Sequence, residues 1–418
     1  MVDVDGDGKL EVAGKEWKYP KVHIFRRREA PSPLARFQHR LLDRDKPRTA
    51  TDILAADVDG DGLQDVVCGA WWYRNPTWER RAIPGIYQVV NAYDIDGDGQ
   101  QELVALKERA GAARWYDGLS SELCWLKPVD PLVGRWEEYP IGTGHGDWPH
   151  GTAIGPFLPG GRPALVVAYH GVNRGHPYYP EIFAPDDPRE PWTRRILAEI
   201  MYGEQLLPYD LDGDGRLDLV AGPYWLQNVG DGSFQVHPIA LGFERAFVPL
   251  TDVGTAMEPV RSEKADLTIS RLAVADVNGD GRPDIVVGQQ GLDFEHRVTP
   301  FTRVAWLENP GDPQSGPWPV HVIDRVRCAH SLSVADLDGD GELEVIVGEH
   351  DPFRPYRSQC RLMVYKPAHG GQQWTRYLLD GRFEHHCGAK TIELAPGRSG
   401  IISHGWVDSR YVHLWEPI

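Results

Sequence analysis

The chain has 418 residues, 41% of them hydrophobic, with 45 glycines, 34 prolines, 15 tryptophans and a formal charge of −17. No stretch is long and apolar enough to cross a bilayer as a helix, no basic patch supports nucleic-acid binding, and five scattered cysteines are too few for a disulfide framework. What remains is a turn-rich, aromatic-rich all-β chain.

In chain order, six segments repeat one nine-residue pattern, with acidic or amide side chains at positions 1, 3, 5 and 9 and glycines at 4 and 6. They are Asp3, Asp5, Asp7 and Glu11; Asp57, Asp59, Asp61 and Asp65; Asp94, Asp96, Asp98 and Glu102; Asp210, Asp212, Asp214 and Asp218; Asp276, Asn278, Asp280 and Asp284; and Asp336, Asp338, Asp340 and Glu344. Oxygen ligands converging on one point around a sharp turn make a calcium loop, a shortened relative of the EF-hand loop. Of the 61 acidic residues, 23 are such ligands, and six bound Ca²⁺ would bring the net charge to about −5. Loops of this kind work at millimolar calcium, so the expected setting is periplasmic or extracellular. No signal peptide is visible, and Met1 lies so close to the first loop that a trimmed start is expected.

Each loop sits between an apolar run and a β-branched run, for example Ile53 to Ala56 and Val66 to Val67, which reads as a hairpin. An aromatic third strand follows, often ending in Asn-Pro as in Trp71 to Pro76, and then a fourth strand. Two units without the acids are recovered from Gly161 to His170 and Gly397 to Ser403, which align on Gly341 to His350. The expectation is a single β-propeller of four-stranded antiparallel blades, eight favoured over seven, at about 1–50, 51–86, 87–145, 146–200, 201–267, 268–328, 329–384 and 385–418. The first blade takes Phe37 to Leu42 as an outer strand, and the last lacks a fourth strand. Cys328 and Cys387 face each other in one reading and are buried free thiols in the other.

If the loops join first and second strands at one face, residues leading into the first strand and leaving the second share the opposite face. The leading positions are Thr51, Gln88, His150, Glu204, Ser270, His330 and His386; the trailing ones include Trp71, His170, Tyr224, Gln290, His350 and Trp406. Histidine recurring at one repeat position points to metal binding, proton transfer or ligand contact, against the alternative of strand-end capping. Arg271 is the best-placed cation for a carboxylate, its alternative being a salt bridge to Glu204 or Asp52. Trp72, Trp225 and Trp306 are expected to pack between blades, whereas Trp71, Tyr224 and Trp406 are placed to stack on a sugar.

The stretch Asp57 to Pro76 resembles the FG-GAP or VCBS repeat of integrin-type calcium propellers, and the resemblance runs along essentially the whole chain. With histidines on the face opposite the loops, the chain is similar to propeller polysaccharide lyases of rhamnose- and uronate-containing glycans, and to the propeller part of aldos-2-ulose dehydratase. The resemblance implies cleavage of a C–O bond by β-elimination. His150, His170, His330, His386 and Tyr224 are then the expected acid–base set. Arg271, Glu204, Gln88, Trp71, His350 and Trp406 are the expected contacts to an anionic oligo- or polysaccharide. Structural Ca²⁺ is expected in the loops, and a further divalent metal on the histidine face is a candidate. A glycan-binding or adhesion propeller, or a metal-dependent sugar dehydratase or hydrolase, is the alternative.

Overall fold

The computed structural model describes strands at 12–15 and 22–25 and residues 34, 36–47, 50–107, 121–146, 149–169, 179–200, 204–240, 266–292, 297, 299–353, 360–406 and 409–418. The loop residues Asp3, Asp5, Asp7 and Glu11, and His170, lie outside them. Seven four-stranded antiparallel sheets follow one another along the chain, here blades I to VII. Their first strands are Ile53–Ala56, Ile86–Tyr93, Pro149–Gly155, Leu206–Tyr209, Asp266–Ala275, Ala329–Ala335 and Lys390–Ala395. Each first strand contacts the next, and the seventh contacts the first, so these strands surround the axis of a β-propeller.

The preference for eight blades is corrected to seven. Among the described residues of 1–50 no four-stranded blade forms: Val12–Lys15 pairs with Val22–Phe25, and Phe37–Asp43 pairs with Val412–Pro417. Phe37–Asp43 is therefore the missing fourth strand of the last blade. The physical reason is closure, since a strand from near the chain start covers the edge that the last blade would otherwise expose.

Second strands are largely buried, wholly so in Asp65–Cys68, Ala164–Tyr169 and Glu344–Glu349, because neighbouring blades cover both faces. Outer strands such as Thr193–Ile196 are exposed. Trp72, Trp225 and Trp306 are buried in the apolar layers between blades, as expected.

The recurring Asn has a structural task. The position-9 carboxylate accepts the backbone N–H of that Asn, at 2.8 Å for Asn75 on Asp65 and 2.7 Å for Asn228 on Asp218. The Asn side chains then donate into the preceding blade, Asn75 to the Leu394 carbonyl at 3.2 Å and Asn228 to that of Phe157 at 2.9 Å. The loops of blades I and IV are thereby tied to their neighbours, whereas Asn309 in blade V donates to the Pro283 carbonyl of its own loop.

Around the channel, side chains latch every pair of adjacent blades. Gln88 accepts from Thr51 N–H, Asn91 donates to Thr152, and His150 meets Glu204. Gln205 accepts from Leu272 N–H, Arg271 donates to the His330 carbonyl, Ser333 donates to that of Ala389, and Lys390 pairs with Asp52 at 2.8 Å. Close approach needs glycine at one of these contacts: a Cβ on Gly151 would lie 1.9 Å from the Glu204 carbonyl oxygen.

Candidate functional site

Four histidines converge at the end of the axis opposite the acid loops. His330 lies 4.6 Å from His386 and 5.3 Å from His350 between ring centroids; His350 lies 4.7 Å from His386, and His150 lies 5.9 Å from His330. Backbone turns place them. Cys328 adopts φ 45°, and its carbonyl accepts the N–H of both His330 (2.7 Å) and His350 (3.1 Å). Left-handed backbone at a non-glycine residue is strained, and such strain gathers at functional sites. His386 N–H donates to the His404 carbonyl at 2.9 Å, next to Cys387 at φ 48°.

Carboxylates orient two of the rings. His150 Nδ1 lies 2.9 Å from Glu204 Oε2, and His350 Nδ1 lies 2.6 Å from Glu384 Oε1. Glu384 Oε2 in turn accepts the Trp406 N–H at 3.2 Å. An imidazole held at Nδ1 by a carboxylate presents Nε2 to the site. Burial opposes charge on His150, but Glu204, with Cys387, outweighs it and pushes the imidazole up to about 10. His386 goes the other way: burial, then the neighbouring His330 and His350, holds it well below the ordinary histidine value, so it is neutral. The two imidazoles of one site are thus pushed in opposite directions.

Arg271 runs through the middle. It donates from Nε to the His330 carbonyl at 2.9 Å and from Nη1 to the Ser270 carbonyl at 2.7 Å. Nη1 also lies 3.3 Å from Glu204, and Nη2 lies 2.8 Å from Cys387 Sγ and 3.1 Å from His330 Nε2. The salt bridge to Glu204 is the one the sequence left open; Asp52 pairs with Lys390 instead. A cavity of 670 Å³ follows the axis from this cluster along the first strands, with His150, Arg271, Cys387, Thr51 and Gln88 in its wall.

The donor set fits a metal. His150, His330 and Cys387 bring one ligand atom each within 4.8 Å of one another. Cys387 Sγ also lies 3.7 Å from His386 Nε2, while His386 Nδ1 is buried without a hydrogen-bond partner. Imidazole and thiolate together suit a borderline-soft ion of the zinc class. His330 belongs both to this set and to the His330, His350 and His386 trio, and the Arg271 guanidinium stands beside it as the resident positive charge.

The structure brings His150, His330, His350, His386, Glu204, Arg271 and Trp406 together, Trp406 lying 5.6 Å from His350 and 5.9 Å from His386. Two expected residues fall elsewhere. Trp71 is covered by the Arg80 guanidinium at 4.3 Å and packs in the layer between blades VII and I, and Tyr224 packs in the layer between III and IV. Both begin their third strands opposite the ends of the second, at Cys68 and Ala221, so their side chains serve the blade rather than the axis. Gln88 is buried and its amide is spent on Thr51 and Val89. Sequence reasoning missed Glu384 and the role of Cys387, although the contiguous run Glu384-His385-His386-Cys387 was a signal. All five cysteines are free and buried.

At the opposite end, the first Asp of each described loop organises the turn. Asp57 accepts N–H bonds from Gly60, Asp61 and Gly62 at 2.9, 3.1 and 2.9 Å. In the loops of blades I and II, buried acceptors that have no hydrogen-bond partner, Asp59 Oδ1, Asp96 Oδ1 and Glu102 Oε1, fit a cation. Burial also pushes Asp65 and Glu102 up to about 7, and Asp218 and Asp284 up to about 6.

A profile of the FG-GAP-like repeat matches residues 210–287 and 276–347, so the chain carries FG-GAP-like repeats. No curated protein matches it in sequence. Similar solved structures include the exotype rhamnogalacturonan lyase YesX (14% identical, TM-score 0.44, covering 88% of this chain and 72% of that one). The V. cholerae biofilm matrix protein Bap1 is 11% identical with TM-score 0.45, covering 91% of each chain. The Bacillus licheniformis rhamnogalacturonan lyase PL11 is 13% identical with TM-score 0.45, covering 91% of this chain and 75% of that one. At such identities and scores, none of them bears on the activity.

Proposed function

We propose that this protein is a carbohydrate-active carbon–oxygen lyase whose active site is the axial histidine cluster. The observation that carries the reading is the convergence of four imidazoles, a thiol and a guanidinium on one end of the axis, with carboxylates orienting two of the rings. β-Elimination removes a proton next to a carboxylate or ketone, stabilises the enolate, and protonates the leaving oxygen. His386, on which burial and the neighbouring imidazoles disfavour charge, suits the base, and His350 stands beside it, oriented by Glu384. His150, paired with Glu204, suits the proton donor. Arg271 supplies fixed positive charge, and Trp406 offers a ring edge at the border of the site. A divalent metal held by His150, His330 and Cys387 is the alternative to His150 as proton donor, since a ligating imidazole gives up its proton; bound there it would supply Lewis-acid stabilisation of the enolate oxygen.

The substrate class is an oligo- or polysaccharide containing uronate, met in the periplasm or outside the cell, where calcium is abundant enough for the loops. No helix among the described residues is long and apolar enough to cross a membrane. The test is product formation from a panel of uronate glycans, read by ultraviolet absorbance of the unsaturated sugar and by product mass. Products lighter than those of hydrolysis by one water support the lyase. Saturable glycan binding without products would make the protein a glycan-binding propeller, and saturated products would make it a hydrolase.

A further inference from the structure

The acid loops differ in a residue that lies outside their own pattern. Strand register places Trp72, Trp125, Ile182, Trp225, Trp306, Val364 and Leu414 at one equivalent third-strand position, opposite Val67, Val104, Val166, Val220, Val286, Ile346 and Ile402. Two residues further on stand Arg74, Lys127, Ala184, Gln227, Glu308, Lys366 and Glu416. Cations occupy this position only in blades I, II and VI, and all three of those carry acid loops. The two blades without acid loops have Ala184 and Glu416 there.

The three cations reach into their loops to different extents. In blade VI, Lys366 Nζ lies 2.8 Å from Asp338, 2.5 Å from Asp340 and 3.1 Å from Glu344, which covers positions 3, 5 and 9. In blade II, Lys127 Nζ lies 2.5 Å from both Asp96 and Asp98 but 3.8 Å from Glu102. Glu102 is wholly buried, and its Oε1 is left without a hydrogen-bond partner. In blade I, Arg74 lies 2.5 Å from Asp59 and 2.9 Å from Asp61, and Asp59 Oδ1 is left over. In blade IV the neutral Gln227 donates to Asp212 at 2.7 Å, and in blade V Glu308 pairs with His321 at 2.7 Å.

We infer that this third-strand residue decides which loops take a divalent cation. In blade VI the Lys366 ammonium stands in the ion's place and closes the loop without metal. Blades IV and V, with Gln227 and Glu308, take the ion without displacing a third-strand cation; the exposed Arg216 and Arg282 of their own loops, paired with the position-5 Asp214 and Asp280, are the charges that give way. In blades I and II the leftover buried oxygens still favour an ion, which must push Arg74 or Lys127 aside and so binds more weakly. The electrostatics are direct, since an ammonium and a divalent ion repel within one cup of carboxylates and each offsets part of the same negative charge.

The test counts Ca²⁺ bound by the metal-depleted full chain, by titration calorimetry and by luminescence of Tb³⁺ as a substitute ion. Lys366→Gln, which copies blade IV, is expected to bind one more Ca²⁺ than the parent, and Gln227→Lys one fewer. If Lys366→Gln does not fold, Gln227→Lys alone decides: loss of one equivalent supports the inference and no change overturns it. Equal, non-zero stoichiometry in parent and both variants overturns this inference alone. No Ca²⁺ bound by any of them also overturns the reading of the loops as calcium sites.

Discussion

The two ends of the propeller axis are built by opposite means. The loop end is one local motif written repeatedly, with every ligand within nine residues and every turn fixed by its own Asp and glycines. The histidine end has no motif. His150 comes from blade III, Glu204 leads into blade IV, Arg271 lies in V, His330 and His350 in VI, and Glu384 to Cys387 between VI and VII. A local motif can be lost from one blade without harm to the others, as in III and VII. A site assembled from several blades fails when one of them shifts. The loop end is thus suited to stability and the histidine end to chemistry.

The largest expected effect tests that division at the histidine end. His386→Ala or His330→Ala should lower the elimination rate by about 10²-fold or more, the usual scale for lost acid–base catalysis, with the melting temperature in calcium little changed. Equal losses of activity and stability would make these rings structural. Next comes the loop end. Chelation with EGTA should lower the melting temperature, since each site held at 100 times its Kd contributes about 2.7 kcal/mol. An unchanged melting curve would remove calcium from the account.

Smaller effects probe the bonds that tie loop to blade. Asn228→Ala removes side-chain bonds to the Phe157 and Leu217 carbonyls and should cost about 1–3 kcal/mol by urea unfolding, with the specific activity of the folded fraction unchanged. The smallest concerns closure. His39, on the closing strand, lies 3.0 Å from His413 between Nε2 and Nδ1. Burial holds both imidazoles below the ordinary value, opposed at His39 by Asp380 and reinforced at both by Arg382. Because the folded values are depressed, the unfolded chain takes up protons first. Stability should therefore be full above about pH 7 and fall as the pH drops through about 6.5, by up to about 1.4 kcal/mol per group per pH unit. Melting curves at pH 7.5 and 5.5, with and without His413→Asn, check it; an identical pH response in both would exclude this pair.

The same contrast explains what was legible in the chain. Loops, hairpins and third-strand tryptophans are local patterns, and among the described residues the structure has them where the repeats indicate. Repeat register even brings His150, Glu204, His330 and His386 to one end, because the position leading into each first strand is the same in every blade. Partnership is not local. The alternation in Phe37 to Leu42 marks a strand but not that its neighbour is Val412–Pro417, and this misplaced the blade count. Trp71 and Tyr224 follow second strands whose direction was readable, but whether a ring turns to the axis or the next blade depends on packing. Cys387 looks like an ordinary buried thiol until Arg271 and three imidazoles are seen around it.

The most direct test of the central claim is a single assay. Purified protein in calcium is incubated with uronate-containing polysaccharides, and unsaturated product is followed by ultraviolet absorbance and mass, beside His386→Ala. Elimination products from the parent and a loss of about 10²-fold in the variant are the predicted result. Elimination at the same rate in both would contradict the assignment of the axial histidines as the site of chemistry.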